Sequence, residues 1–359
     1  MLADIDTVLQ QIEPIDRDWI RRAHAHQATL TKPPKSLGRL EELANRVVAI
    51  QQSLTPTVER ACVVVFAADH GVTAEGVAPY PSAVTGQMVA NFLAGGAGVN
   101  ALARVARADV LVVDIGVASD LSSGTGLQQR RVAPGTRNMA REPAMTREQA
   151  ERAIAVGLEM GRDVIAAGTD MIGLGEMGIG NSTAASAVTA TLTGLPVSTV
   201  TGRGTGADDA MLAQKIGVIE QALERHRPNP ADAIDVLTKV GGFELAGLAG
   251  VVLAAAAARK VVVTDGFIAT SAAALAVRMC PAVNDYLFAA HRSPEPGHTA
   301  LLTLIGQEPL LDLRMRLGEG TGAALAFVIM RAAVAAFTEM ATFASAGVRN
   351  RSDLPDAVV

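Results

Sequence analysis

Aromatic side chains are scarce, at 3% of 359 residues with one Trp and two Tyr. That is too few for a base-stacking platform, and a net charge of −5 with no basic block argues further against a nucleic-acid partner. Cysteine is scarcer still. Cys62 and Cys280 fall in an expected strand and at an expected helix end, where they read as small buried hydrophobes, so a reducing cytoplasm is the default. His70, His291 and His298 include no i, i+4 pair and no neighbouring Cys, so no metal is expected. The most apolar stretches, 243–258 and 321–346, are interrupted by Glu244 and by Arg331 and Glu339, which argues against a clean membrane span. The opening MLADIDTVLQQIEPIDRDW carries acids where a signal peptide carries bases.

What remains is a chain that is 49% hydrophobic and contains 34 glycines, the profile of a close-packed parallel α/β protein. Its length predicts one large domain with a smaller satellite, or two unequal domains. Short β-branched runs predict six strands: ACVVVFA (61–67), DVLVVDI (109–115), DMIGL (170–174), PVSTV (196–200), KVVVT (260–264) and YLFAA (286–290). Helix-length segments lie between them, the clearest at 146–167, where Thr146 and Gln149 form a capping box. This alternation implies a parallel, Rossmann-like sheet covered by helices on both faces. Residues 1–50 read as helices before any strand, and 322–346 as one long apolar helix. We therefore expect a large α/β domain over 51–321 and a small helical domain assembled from 1–50 and 322–359.

In a parallel sheet all strand C-termini share one edge, so the polar clusters after the strands converge. These are Asp69-His70, Glu176 with its glycines, 202–206, Asp265-Gly266 and His291-Arg292-Ser293. The richest is GLGEMGIGNST (173–183), a strand-to-helix turn whose glycines let N–H groups approach an anion at a helix N-terminus. Gly173, Gly175 and Gly178 match a dinucleotide fingerprint, yet no Asp or Glu lies between Glu176 and Asp208 to hold a ribose, and Glu176 would repel a pyrophosphate. A single phosphate beside a cationic or proton-donating ligand fits better, with Gly175, Gly178, Asn181 and Ser182 around it. Gly202, Gly204 and Gly206, followed by Lys215, resemble a second anion cradle, the alternative being a flexible loop before a solvated helix face. Glu319, in RLGEGTGAALA (316–326), stands between two glycines where the last long helix begins, unshielded as a general base must be.

The segments KPPKSLGRLEELA (32–44), ADHGVTAEGVAPYP (68–81), GEMGIGNST (175–183), KVGGFELAGLAG (239–250), DGFIATSAA (265–273) and MRLGEGTGAALA (315–326) occur in order over nearly the whole chain. Together they resemble the nicotinate-nucleotide:dimethylbenzimidazole phosphoribosyltransferase family. The resemblance implies transfer of phosphoribose from nicotinate mononucleotide to 5,6-dimethylbenzimidazole, with inversion, in a homodimer that needs no cofactor. It implies Glu319 as the base, with Lys215 and the two glycine turns at the phosphate. Glu176 and Asp265 are expected to stabilise positive charge growing on the sugar. Tyr80, Gln87, Met88 and Leu317 are expected around the base; Tyr80 and Met88 are bulkier than the small or amide residues some members carry, which leaves the preferred azole open. A nucleotide-binding sensor without catalysis and an NAD(P) oxidoreductase are the alternative classes.

Overall fold

The computed structural model describes residues 5–121 and 125–349; the first four residues of the expected N-terminal helical segment and the last ten of the expected 322–359 segment lie outside them. Six parallel strands, β1 (Ala61–Ala68), β2 (Ala108–Gly116), β3 (Gln128–Gln129), β4 (Met171–Met177), β5 (Val261–Thr264) and β6 (Leu287–Ala289), form one sheet in the order β3-β2-β1-β4-β5-β6. The order reverses between β1 and β4, which opens a crevice at the strand C-termini. Five strands coincide with the β-branched runs. The sixth expected strand, 196–200, is instead a single helical turn, and the short edge strand β3 takes the remaining place. Val197 and Val200 are buried while Ser198 and Thr199 are exposed, a three-residue spacing that suits a helix turn and not a pleat. A run of β-branched residues says only that the segment fits a half-buried surface.

The helices in order are α1 (Ile5–Gln11), α2 (Arg17–Gln27), α3 (Arg39–Gln51), α4 (Ala83–Leu93), α5 (Gly98–Val105), α6 (Arg147–Ala166), α7 (Asn181–Thr193), α8 (Val197–Val200), α9 (Asp209–His226), α10 (Ala233–Val240), α11 (Phe243–Ala257), α12 (Gly266–Met279), α13 (Pro296–Ile305), α14 (Thr321–Glu339) and α15 (Phe343–Ala346). The capping box at Thr146 and Gln149 forms as the sequence predicts. Every residue of β1 is buried because both faces are covered. Phe66 meets α11, while Val63 and Val65 point to the side of α14, as a two-residue alternation requires.

Small residues set the distances between these layers. A Cβ on Gly157 of α6 would overlap the Gly247 carbonyl oxygen of α11, and one on Gly250 would overlap the Ile154 carbonyl oxygen. Backbone cannot rotate out of the way as a side chain can. Gly157→Ala is therefore expected to destabilise by about 1–3 kcal/mol, despite alanine's better helix propensity. Denaturant unfolding checks this, and an unchanged midpoint would contradict it.

The final helix differs from expectation in two ways. It ends at Glu339, because the next backbone leaves the helix to pair across the molecule: Thr31 N–H donates to Ala341 O at 3.0 Å and Phe343 N–H to Thr29 O at 2.8 Å. By length and composition α14 is apolar enough to cross a membrane, although Arg331 suggested otherwise, yet more than half of it is buried in this fold. It packs on α3, α5 and three strands, and Arg331 reaches out to the carbonyls of Glu59, Ala106 and Arg107.

Candidate active site

A cavity of about 480 Å³ opens at the C-terminal edge of β4, β5 and β6. Its wall brings together Glu176, Gly178, Asn181, Ser182, Gly204, Asp265, Leu317 and Glu319, with Tyr80 and Met88 at the side. Five other expected residues, Gly175 among them, stand outside this wall. Gln87 is exposed on α4, Gly206 has open space around its α-carbon, and Gly202 and Lys215 lie one layer behind.

Gly175 also lies behind the wall, and its surroundings show why glycine is there. A Cβ would overlap the carbonyl oxygen of Glu319, while a Cβ on Gly173 would press on Ala323 and Phe327. These two glycines of β4 thus flatten the strand so that the loop bearing Glu319, and the start of α14, can lie against it. Gly178 and Gly180, in contrast, make the turn itself: Gly178 packs on the Ala68 carbonyl, and Gly180 adopts φ +94° immediately before α7.

Gly318, Glu319 and Gly320 all have positive φ, at 81°, 64° and 94°. Two glycines take up such a conformation freely, but a glutamate between them is strained and must be held. Asp265 holds it. Its Oδ2 accepts Gly320 N–H at 2.7 Å and its Oδ1 accepts Gly322 N–H at 2.8 Å, capping α14, while His291 Nε2 lies 3.1 Å from Oδ1. The Glu319 side chain consequently turns away from its own helix toward the N-terminus of α5, where Oε2 accepts Val99 N–H at 3.1 Å. Burial pushes its pKa up, Val99 N–H pulls it down, and the charge of Asp265 pushes it up again, with a net upward shift.

Glu176 faces the same space. Burial, reinforced by the nearby Asp265 and Glu244 charges, pushes its pKa to about 8, despite hydrogen bonds from the Asn181 amide and the Glu319 N–H. A cation brought beside Glu176 would favour its ionised form and oppose that rise. Deeper still, His70 Nε2 meets Glu244 Oε1 at 2.9 Å, both fully buried. Burial opposes the imidazolium most strongly, but the charge and hydrogen bond of Glu244 and the charge of Asp69 together outweigh it and raise the His70 pKa.

The opposite end of the cavity suits an anion. The N-terminus of α7 faces it through Asn181 and Ser182. Lys215 Nζ donates to Ser182 Oγ at 2.9 Å and Gly202 O at 3.2 Å, and burial lowers its pKa to about 8 against the pull of Glu295. Arg316 Nη1 donates to Gly204 O at 3.0 Å, tying the anion end to the Glu319 loop. At the mouth, Tyr80 and Leu317 are more than half exposed, leaving an apolar rim for a flat ring. Among the described residues no three His, Cys, Asp or Glu side chains come together as metal ligands.

The sequence did not single out Glu295, Glu244, Arg316 or the amides of α5. Glu295 and Glu244 each sit beside a helix start, which alone looks like ordinary capping. Only the fold shows that one reaches the 202–206 loop and the other pairs with His70.

A family model described as phosphoribosyltransferase matches residues 12–348. The nicotinate-nucleotide–dimethylbenzimidazole phosphoribosyltransferase of Geobacter metallireducens is 55% identical over 96% of this chain and 98% of its own. The protein of the same name from Chloroflexus aurantiacus is 53% identical over 97% and 99%. The crystal structure of CobT from Thermus thermophilus superposes with a TM-score of 0.90 at 48% identity, over 92% of this chain and 99% of that one. The chain is thus an enzyme of the nicotinate-nucleotide–dimethylbenzimidazole phosphoribosyltransferase family.

Proposed function

We propose that the protein transfers phosphoribose from nicotinate mononucleotide to 5,6-dimethylbenzimidazole or a related azole, giving α-ribazole 5′-phosphate and nicotinate for the nucleotide loop of cobalamin. The observation that carries this is the set of groups on one cavity: the α7 N-terminus with Lys215 behind Ser182, and the carboxylates of Glu319, Glu176 and Asp265 on the same wall. The phosphate binds at the α7 N-terminus, with the Lys215 charge beneath it. One azole nitrogen attacks the anomeric carbon while the bond to the pyridinium nitrogen breaks, and the electron pair stays with nicotinate as a neutral ring. Glu319 takes the proton from the other azole nitrogen, so the product leaves uncharged at the base. Glu176 and Asp265 face the sugar as positive charge spreads over it. The apolar rim of Tyr80, Met88 and Leu317 receives the azole.

The reading extends to organisation: a cytoplasmic homodimer, with 1–50 and 322–359 as a small helical domain. Support for the domain comes from the backbone pairing of Thr29 and Thr31 with the segment after α14. The decisive experiment incubates the protein with nicotinate mononucleotide and a panel of azoles and identifies the nucleoside phosphate and its anomer. An α-linked product from an azole establishes the reading; no transfer to any azole overturns it.

A pH profile follows from Lys215. Its pKa is depressed to about 8, so its charge is present below that pH and lost above it. The alkaline limb of kcat/KM is expected near pH 8, and Lys215→Arg, whose guanidinium stays charged, should move that limb upward. An unmoved limb would remove Lys215 from phosphate binding.

A further inference from the structure

Glu295 immediately precedes α13, yet its carboxylate makes no cap bond to that helix. It reaches instead into the loop after α8. Oε1 accepts Gly204 N–H at 3.1 Å, and Oε2, buried and without a hydrogen-bond partner, lies so close to Gly202 that a Cβ there would overlap it. The same carboxylate lines the cavity and is the charge acting on Lys215. A glycine turn with an N–H directed inward and a buried ammonium beneath is an anion site, and here the chain supplies the anion itself.

We propose that Glu295 is an internal anion that occupies the Gly202–Gly204 turn of the free enzyme and is exchanged for the substrate's phosphate. This rests on the reading of that end of the cavity as the phosphate end. A phosphate dianion brought beside a carboxylate in a partly desolvated pocket meets like-charge repulsion, and both compete for Gly204 N–H and the Lys215 charge. Because the first turn of α13 lacks a side-chain cap, the departing carboxylate has the Gly297 N–H of its own helix close by, Pro296 having no N–H and His298 N–H donating to Glu295 O. The exchange lowers phosphate affinity by the free energy needed to displace Glu295, so the residue tunes how firmly substrate and product are held.

Calorimetric titration of inorganic phosphate into the full-length protein, Glu295→Gln and Glu295→Ala tests this, with thermal melts to confirm folding. Both variants should bind phosphate more tightly, by about tenfold at low salt and less as salt screens the charge, and KM for nicotinate mononucleotide should fall. A carboxylate that merely braces the loop gives the opposite sign, since its loss loosens the turn. Unchanged or weaker binding in both folded variants therefore overturns the exchange while leaving the phosphate end in place. Should neither the unmodified protein nor either variant bind phosphate, with all of them folded, the phosphate end itself is misassigned and the exchange falls with it.

Discussion

Glu319→Gln is expected to lower kcat by about 10²-fold or more while leaving KM for nicotinate mononucleotide within a few-fold. The substitution keeps the length and shape of the side chain and an oxygen to accept Val99 N–H. What it removes is the ability to take a proton. On the proposed reaction, the surroundings of Glu319 make that ability count. A carboxylate in water is a weak base, and burial with Asp265 nearby raises the affinity of Glu319 for a proton. The N–H at the start of α5 limits the rise, so that the group can still be ionised when the azole arrives. Steady-state kinetics with separate substrate titrations provide the check. A rise in KM at constant kcat would make Glu319 a binding contact, and a variant of full activity would remove it from the chemistry.

The strand framework of this site is legible in the sequence because five β-branched runs alternate with helical segments, and parallel topology then forces their C-termini onto one edge. Glu319, Glu176 and Asp265 stand out for the same reason, as carboxylates placed just where strands or helices change direction. The glycines are harder to read. Gly175 looks like a phosphate-binding residue in a one-dimensional motif, but its constraint comes from the Glu319 loop, far along the chain and in contact only after folding. The 196–200 segment fails because so short a run carries too little periodicity to separate a pleat from one helical turn. The destination of the Glu319 side chain is likewise invisible: a glutamate before a helix suggests its own dipole, whereas three consecutive left-handed residues swing it to α5 and leave the cap of α14 to Asp265.

That division of labour predicts that Asp265 is as important to the fold as to the reaction. Asp265→Ala leaves Gly320 N–H and Gly322 N–H buried without acceptors and strips His291 Nε2 of its partner. Each orphaned donor costs about 1–3 kcal/mol, so a loss of about 3 kcal/mol or more in unfolding free energy is expected. Activity should fall further than stability alone explains, since the strained backbone at Glu319 no longer has its clamp and relaxes out of the left-handed region. The electrostatic consequence has the opposite sign. Asp265 raises the pKa of both Glu176 and Glu319, so its removal lowers both, and the acid limb of whatever activity remains should move to lower pH. Asp265→Asn separates the two effects: it removes the charge, keeps one acceptor oxygen for the loop amides, and should show the same acid-limb shift with a smaller loss of stability. Denaturant unfolding and pH–rate profiles of the two variants measure this directly. If both unfold like the unmodified protein, Asp265 does not secure the turn, and the left-handed conformation of Glu319 must be held by its contacts with β4 alone.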